Sequence, residues 1–202
     1  MTEISPHCLT EHQMKLAVND TERLFIGKIV PILIAFGISG NILNLTVLLT
    51  PSMRTRSNLL LAYLAVADVI FLVFMLPHSF AHYEIFAFSY WFRRFYLSYK
   101  MHLLAVLNWA SAAAIWLILM ICLERLMGIR NPLSARRHER SSTITIIVIV
   151  IVVATGLLTS YYHFSYFCAF KRFCNGSQFH GMCIRSDSDS ISLNANLSSI
   201  FH

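Results

Sequence analysis

Asp68 is the residue whose type and setting most demand an explanation. It is the single charge between residues 57 and 83 of a 202-residue chain. An ionisable group in so apolar a stretch is expensive to keep, so it needs a partner, an ion or a proton. The functional reading is a cation or proton site. The bland reading is a protonated carboxyl held for packing alone, and the cost of burial favours function. Asn41, at similar depth in the preceding apolar stretch, is the obvious polar neighbour. As a plain interhelical hydrogen bond it would be worth only ~0.6 kcal/mol.

Other residues carry weaker signals. Glu124 and Arg125 close the third apolar stretch. Adjacent opposite charges cannot share one helix face, so one turns inward while the other faces the rim. On residue types alone, a charge that snorkels to the interface is the simpler account. His78 and His82 are spaced i, i+4, which suits a metal. No second histidine cluster accompanies them, since His138 and His163 stand alone, so a membrane iron enzyme lacks ligands. The two histidines are instead expected at the mouth of the second span. Together with Leu104, Leu107, Asn108 and Ser111 of the third they are ligand-pocket candidates. Ser111 lies within about 40° of the Arg125 face, on a stripe of Leu104, Leu107, Ser111, Ala114, Ile118 and Arg125. No nucleophile, catalytic base or phosphate loop occurs, so the chain is read as neither an enzyme nor a metal protein.

The elements that must position these residues follow from where charge is missing. Hydrophobic residues make up 56% of the chain and charged ones 13%, with a mean hydropathy of +0.61. Soluble domains carry roughly 25% charge, and disorder needs low hydrophobicity. Residues 29–53, 101–123 and 141–170 are uncharged, and 57–83 holds only Asp68. Each window exceeds the ~20 residues that cross a bilayer core as a helix. In lipid the backbone must satisfy itself, so each should be helical. The β-branched run Ile144–Val153 reads as strand by propensity, but the length of its window argues for helix. Helices are expected near 25–49, 58–81, 101–123 and 142–164. Residues 1–24 form a polar tail without the basic start of a cleavable signal, and 171–202 form a second tail, Ser/Asn-rich beyond Gly181 and expected to be disordered. The domain between them runs over 25–170.

Charge and cysteine placement give sidedness. Segments 50–58 and 124–140 hold seven Lys/Arg in 26 residues, against nine in 79 for 1–28, 82–100 and 171–202. The denser set faces the cytoplasm, which puts the N-terminus outside. Arg93 and Arg94 violate this pattern mildly. Sequons at Asn19, Asn175 and Asn196 fall on the outer side, as glycosylation requires; Asn44 lies within the first span and should be silent. Cys8, Cys168, Cys174 and Cys183 share the oxidising side, and four cysteines allow three pairings. Cys122 is expected to be a buried, reduced packing residue. The net charge of +6 lies beside membrane spans. No basic run interleaves with aromatics, so nucleic acid is not a partner.

These marks resemble the N-terminal half of a rhodopsin-like (class A) G-protein-coupled receptor, over residues 25 to 185. Gly40-Asn41 is followed by Ile42-Leu43. Asn58-Leu59-Leu60 leads into Leu64-Ala65-Val66-Ala67-Asp68. Glu124-Arg125-Leu126 stands where the family has Asp/Glu-Arg-Tyr, and Pro132-Leu133 follows at the family's spacing. The resemblance implies an all-α membrane fold: four helices of a seven-helix bundle, at the plasma membrane, N-terminus extracellular. It implies that Asn41 and Asp68 belong to a sodium-sensing polar network. It also implies that Glu124 and Arg125 lock the inactive state, and that Arg125, Pro132 and Leu133 meet a heterotrimeric G protein. No cofactor beyond that sodium ion is implied. The stretch Asn58–Asp68 leans toward divergent invertebrate peptide receptors, FMRFamide-type ones among them, and so toward a peptide-like extracellular ligand.

The departures are specific. Lys100 occupies the position of the family's usual cysteine at the outer start of span three, so that disulfide is not expected. Leu126 replaces an aromatic, Ala114 replaces a polar residue near the sodium site, and no Trp follows Trp116. With four spans the chain is expected to be a truncated receptor, unable to signal alone but able to pair with a full-length receptor and trap it. Coexpression that left a full receptor's surface level and signalling unchanged would count against trapping. The competing reading is a self-contained four-span transporter or channel subunit that uses Asp68.

Overall fold

The computed structural model of the chain describes residues 7–16, 20–51, 55–130 and 141–185. Two short helices, α1 (Glu11–Met14) and α2 (Asp20–Leu24), lead through a π-helical turn at Phe25–Ile29 into α3 (Val30–Leu48). Pro31 sits at the start of α3, where its missing N–H costs little. Next come α4 (Arg56–Phe80), α5 (Glu84–Phe88), α6 (Tyr90–Arg130), α7 (Ser141–Thr159) and α8 (Tyr161–Phe164). A β-hairpin of β1 (Tyr166–Phe173) and β2 (Gln178–Arg185) ends the described chain.

The segments Thr21–Leu48, Arg56–Phe80 and Tyr90–Arg130 are long and apolar enough to cross a membrane. The fourth apolar helix, α7, has 19 residues, about 28 Å at 1.5 Å per residue and close to the ~30 Å hydrocarbon core. It is rich in β-branched residues and nevertheless helical, as length predicts. Mostly exposed side chains such as Phe36, Ile129 and Leu157 have the character of a lipid-facing surface. α6, with 41 residues, is about twice as long as the core is thick. It begins at Tyr90, inside the segment read from sequence as a loop.

The chain divides into two compact units. The first, a hairpin unit, draws on Met1–Gly27, Pro77–Ala105 and Ser160–His202. Its core joins Ala81 to Tyr96, Leu97 and Leu103 of α6 and to Phe179 of β2. The second, a helical unit, draws on Lys28–Leu76 and Val106–Thr159. Its core packs Leu60 of α4 against Leu117 of α6 and Ile144 and Val148 of α7. The division within α4 falls at Pro77, which lies inside that helix and cannot donate the usual backbone hydrogen bond.

No strand was expected after residue 164, and the hairpin has local causes. Its strands pair antiparallel from Tyr166↔Arg185 to Phe173↔Gln178. The turn places Cys174, Asn175 and Gly176 at φ of 54°, 55° and 95°. Gly and Asn are the residues that tolerate this left-handed region best, and Asn-Gly is a strong hairpin signal. The Phe170 ring covers Gly181, its cross-strand partner, whose missing side chain leaves room for it.

The pairing of the four outer cysteines is settled by this hairpin. Cys168 and Cys183 face each other in register and are bonded. Cys174 at the turn is bonded to Cys8 of the tail, and Leu9 and Gln178 exchange hydrogen bonds beside it. A protease site introduced between residues 131 and 140 tests the long-range bond. Cleaved protein should run as one band without reductant and as two with it, and Cys8→Ser should give two bands in both lanes.

The strand β2 also runs to Arg185, past Gly181 where disorder was expected, and a further expectation needs correction. Cys122 is exposed, because the buried side of α6 at that level carries Leu117 and, partly, Ile121. Pro132, Leu133, His138, Asn19 and Asn196 lie outside the described residues. Asn175 lies in the hairpin turn and is exposed.

Candidate functional site

In the hairpin unit the organising side chain is Arg93, on the first turn of α6 and only 1% exposed. Its Nε donates to the Phe179 carbonyl of β2, and Nη1 donates to the Met14 carbonyl at the end of α1. Nη1 also reaches the Ala87 carbonyl of α5 at 3.2 Å, and Nη2 lies 3.1 Å from His180 Nδ1. One guanidinium thus joins four separate pieces of chain. Arg suits this work because it offers five donors in a fixed planar fork. Among the described residues its partners are carbonyls and an imidazole, with no carboxylate.

His78 and His82 belong to the same unit. His78 Nδ1 is 2.7 Å from the Tyr96 hydroxyl. His82 Nδ1 donates to the His78 carbonyl at 2.9 Å, and its Nε2 lies 3.4 Å from Glu22 Oε1. His82 is buried, and beside it Ser79 donates to the Ile26 carbonyl at 2.8 Å. His78 therefore ties α4 to α6, and His82, in the turn just after α4, reaches α2. Among the described residues no group of three or more His, Cys, Asp or Glu is placed to hold a metal ion. Leu104 belongs to this unit too. On the exposed rim Glu84 takes Arg23 at 2.8 Å and Lys15 at 4.0 Å.

The helical unit contains the other sequence-selected residues. Asp68 is half-buried on α4. Asn41 donates to the Gly37 carbonyl of its own helix at 2.9 Å. The structure shows no hydrogen bond between Asn41 and Asp68. Glu124 turns inward, with a buried Oε2 that has no hydrogen-bond partner, while Arg125 is exposed. The two are not ion-paired to each other. Leu107 is buried, with Asn108 and Ser111 half-buried, and Ile118 of the same predicted stripe is exposed. The most buried residue of α6 in this unit is its neighbour Leu117.

Sequence reading missed three residues. Arg93 registered only as a violation of the charge pattern, and that violation was the available signal. His180 carried none. Trp109 of α6 donates to the Val152 carbonyl of α7 at 2.9 Å, and its indole lies against Gly156. A lone glycine just beyond the β-branched run was the only hint of that contact.

Comparison with known proteins decides the family. Residues 40–201 match the model of the seven-transmembrane receptor (rhodopsin family). The chain belongs to this family. It is 57% identical over 182 residues to "Putative G-protein coupled receptor F59B2.13" of Caenorhabditis elegans, an alignment covering 90% of this chain and 42% of that protein. It is 33% identical over 115 residues to "Probable G-protein coupled receptor B0563.6" of the same organism, covering 54% of this chain and 25% of that one. The chain therefore spans less than half the length of these relatives. Membership favours the receptor reading over a self-contained transporter, and it places the chain in a receptor class rather than an enzyme class. With the apolar helices it makes this a multi-pass membrane protein of all-α class, carrying part of a seven-helix bundle.

Proposed function

We propose that these helices are the ligand-receiving and G-protein-facing part of a class A receptor, reading an extracellular, peptide-like ligand. The observation that carries this is the family match over residues 40–201, which contains Asp68 and the Glu124-Arg125-Leu126 sequence. The N-terminus lies outside in this reading. Two disulfides within the hairpin unit support that, because such bonds form in oxidising compartments. The exposed Asn175 of the turn is an accessible glycosylation acceptor on the same side, with Asn19 and Asn196 as further candidates. His78, His82, Leu104, Leu107, Asn108 and Ser111 remain the ligand-facing candidates. Asn41 and Asp68 are the candidate sodium-linked pair, and 25–170 is the helical domain.

Glu124 and Arg125 are the proposed lock of the inactive state. The exposed Arg125 is free to meet a G protein, with Pro132 and Leu133 on the following loop. Pairing of the chain with a full-length receptor remains the proposed behaviour of these four helices expressed alone.

The test is complementation at the cell surface. The chain is coexpressed with the portion of F59B2.13 that it does not match, and the cells are challenged with amidated short peptides and with a panel of biogenic amines. A peptide-driven G-protein signal is expected, and Arg125→Ala should weaken it by roughly tenfold or more, within the usual range of allosteric coupling. Response to amines alone would overturn the peptide reading. A full signal from Arg125→Ala would overturn the role given to Arg125.

A further inference from the structure

We propose that Arg93 and His180 form an acid-sensitive latch, in which protonation of His180 releases the β-hairpin from α6. The geometry fixes the chemistry. A guanidinium nitrogen can only donate a hydrogen bond, so His180 Nδ1, 3.1 Å from Arg93 Nη2, must accept it. The ring is therefore neutral, with its proton on Nε2. A proton arriving at Nδ1 removes the acceptor and sets an imidazolium against a buried guanidinium. Repulsion is strong there because Arg93 is shielded from water.

Among the described residues, burial and the charge of Arg93 are what act on the His180 ring, with no carboxylate set against it. From α6 the group facing His180 is Arg93 itself. From β1 its cross-strand partner is Lys171, whose ammonium lies 5.9 Å from the centroid of the Phe173 ring, a ring that in turn packs edge-on against His180. The carboxylate of Glu84 on α5 is engaged by Arg23 and Lys15. Glu22 lies by His82. Burial, and then the charge of Arg93, hold the His180 imidazole below the ordinary histidine range.

The sign follows from linkage. A histidine whose pKa is depressed in the docked state takes up a proton more readily when undocked. Docking is therefore strongest above the ordinary histidine value of about 6.5 and weakens as pH falls below it, by up to about tenfold per pH unit. The loss levels off once the docked His180 itself protonates. The disulfides keep the hairpin and its link to the tail intact. What is released is the hairpin with the tail, since the same guanidinium also holds the Met14 carbonyl. Acid near or below pH 6 thus loosens this face of the protein without unfolding the helices.

Hydrogen exchange of residues 166–185, in the chain held in lipid nanodiscs and corrected for intrinsic rates, tests this between pH 7.5 and 4.5. The wild type should lose up to about fivefold protection between pH 6.5 and 5.5. His180→Asn, whose amide oxygen can accept from Arg93 but cannot titrate, should stay protected throughout. Wild-type protection that is flat with pH overturns the latch. So does an unchanged acid release in His180→Asn, which would assign the effect to His78, His82 and Glu22. Should His180→Asn fail to fold, histidine-labelled wild type decides the matter. Release must then track the imidazole signal of His180, and tracking another histidine overturns the proposal.

Discussion

Arg93→Leu should undock the hairpin at every pH and sharply reduce delivery of the protein to the cell surface. The substitution keeps an apolar stem of moderate size but removes all the donors. The carbonyls of Phe179, Met14 and Ala87 lose their partner, and each unsatisfied buried carbonyl costs about 1–3 kcal/mol. Removing the desolvated guanidinium returns part of that cost, which leaves a net loss of about 3 kcal/mol. Arg93→Lys keeps the charge but has one nitrogen in place of a fork, so it should fall between the two. Hydrogen exchange in β2 and surface labelling read both effects. A leucine variant with native protection of Phe179 would show that the apolar cluster around Tyr96 and Leu97 holds the hairpin unaided.

The second large effect is expected at Gly156. A Cβ there would stand 3.1 Å from the Trp109 ring, so alanine already demands a small shift. Gly156→Leu should drive the indole away, break its bond to the Val152 carbonyl and open the contact of α6 with α7. Overpacking and a lost hydrogen bond together suggest about 2–4 kcal/mol, read as thermal unfolding in detergent. Removing the ring relieves the clash, so Gly156→Leu combined with Trp109→Ala should be less damaging than the sum of the two single changes. Strict additivity would show that the indole does not rest on Gly156 in solution.

These two contacts mark how far the sequence could be read. The helices were legible because each is a local matter. An uncharged stretch of sufficient length must close its own hydrogen bonds in lipid, whatever its β propensity, and α7 does so despite its run of Ile and Val. Asp68 and Glu124-Arg125 stood out for the same reason, as charges in or beside such stretches. Cys122 was misread because burial on a helix depends on which faces meet neighbours. Spacing alone does not say that Leu117 and Ile121 are turned inward at that level.

Composition and charge gaps determined that this is a helical membrane protein, and the ordered motifs carried its resemblance to the rhodopsin-like receptors, the family that the match over residues 40–201 shows. The tertiary structure decided that Cys8 joins Cys174 and Cys168 joins Cys183. It also decided that Arg93 gathers α1, α5 and β2, that His180 receives its hydrogen bond as a neutral ring, and that Trp109 rests on Gly156. Those outcomes depend on groups up to 166 residues apart in the chain, and their energies arise only once packing excludes water and fixes which donor meets which acceptor.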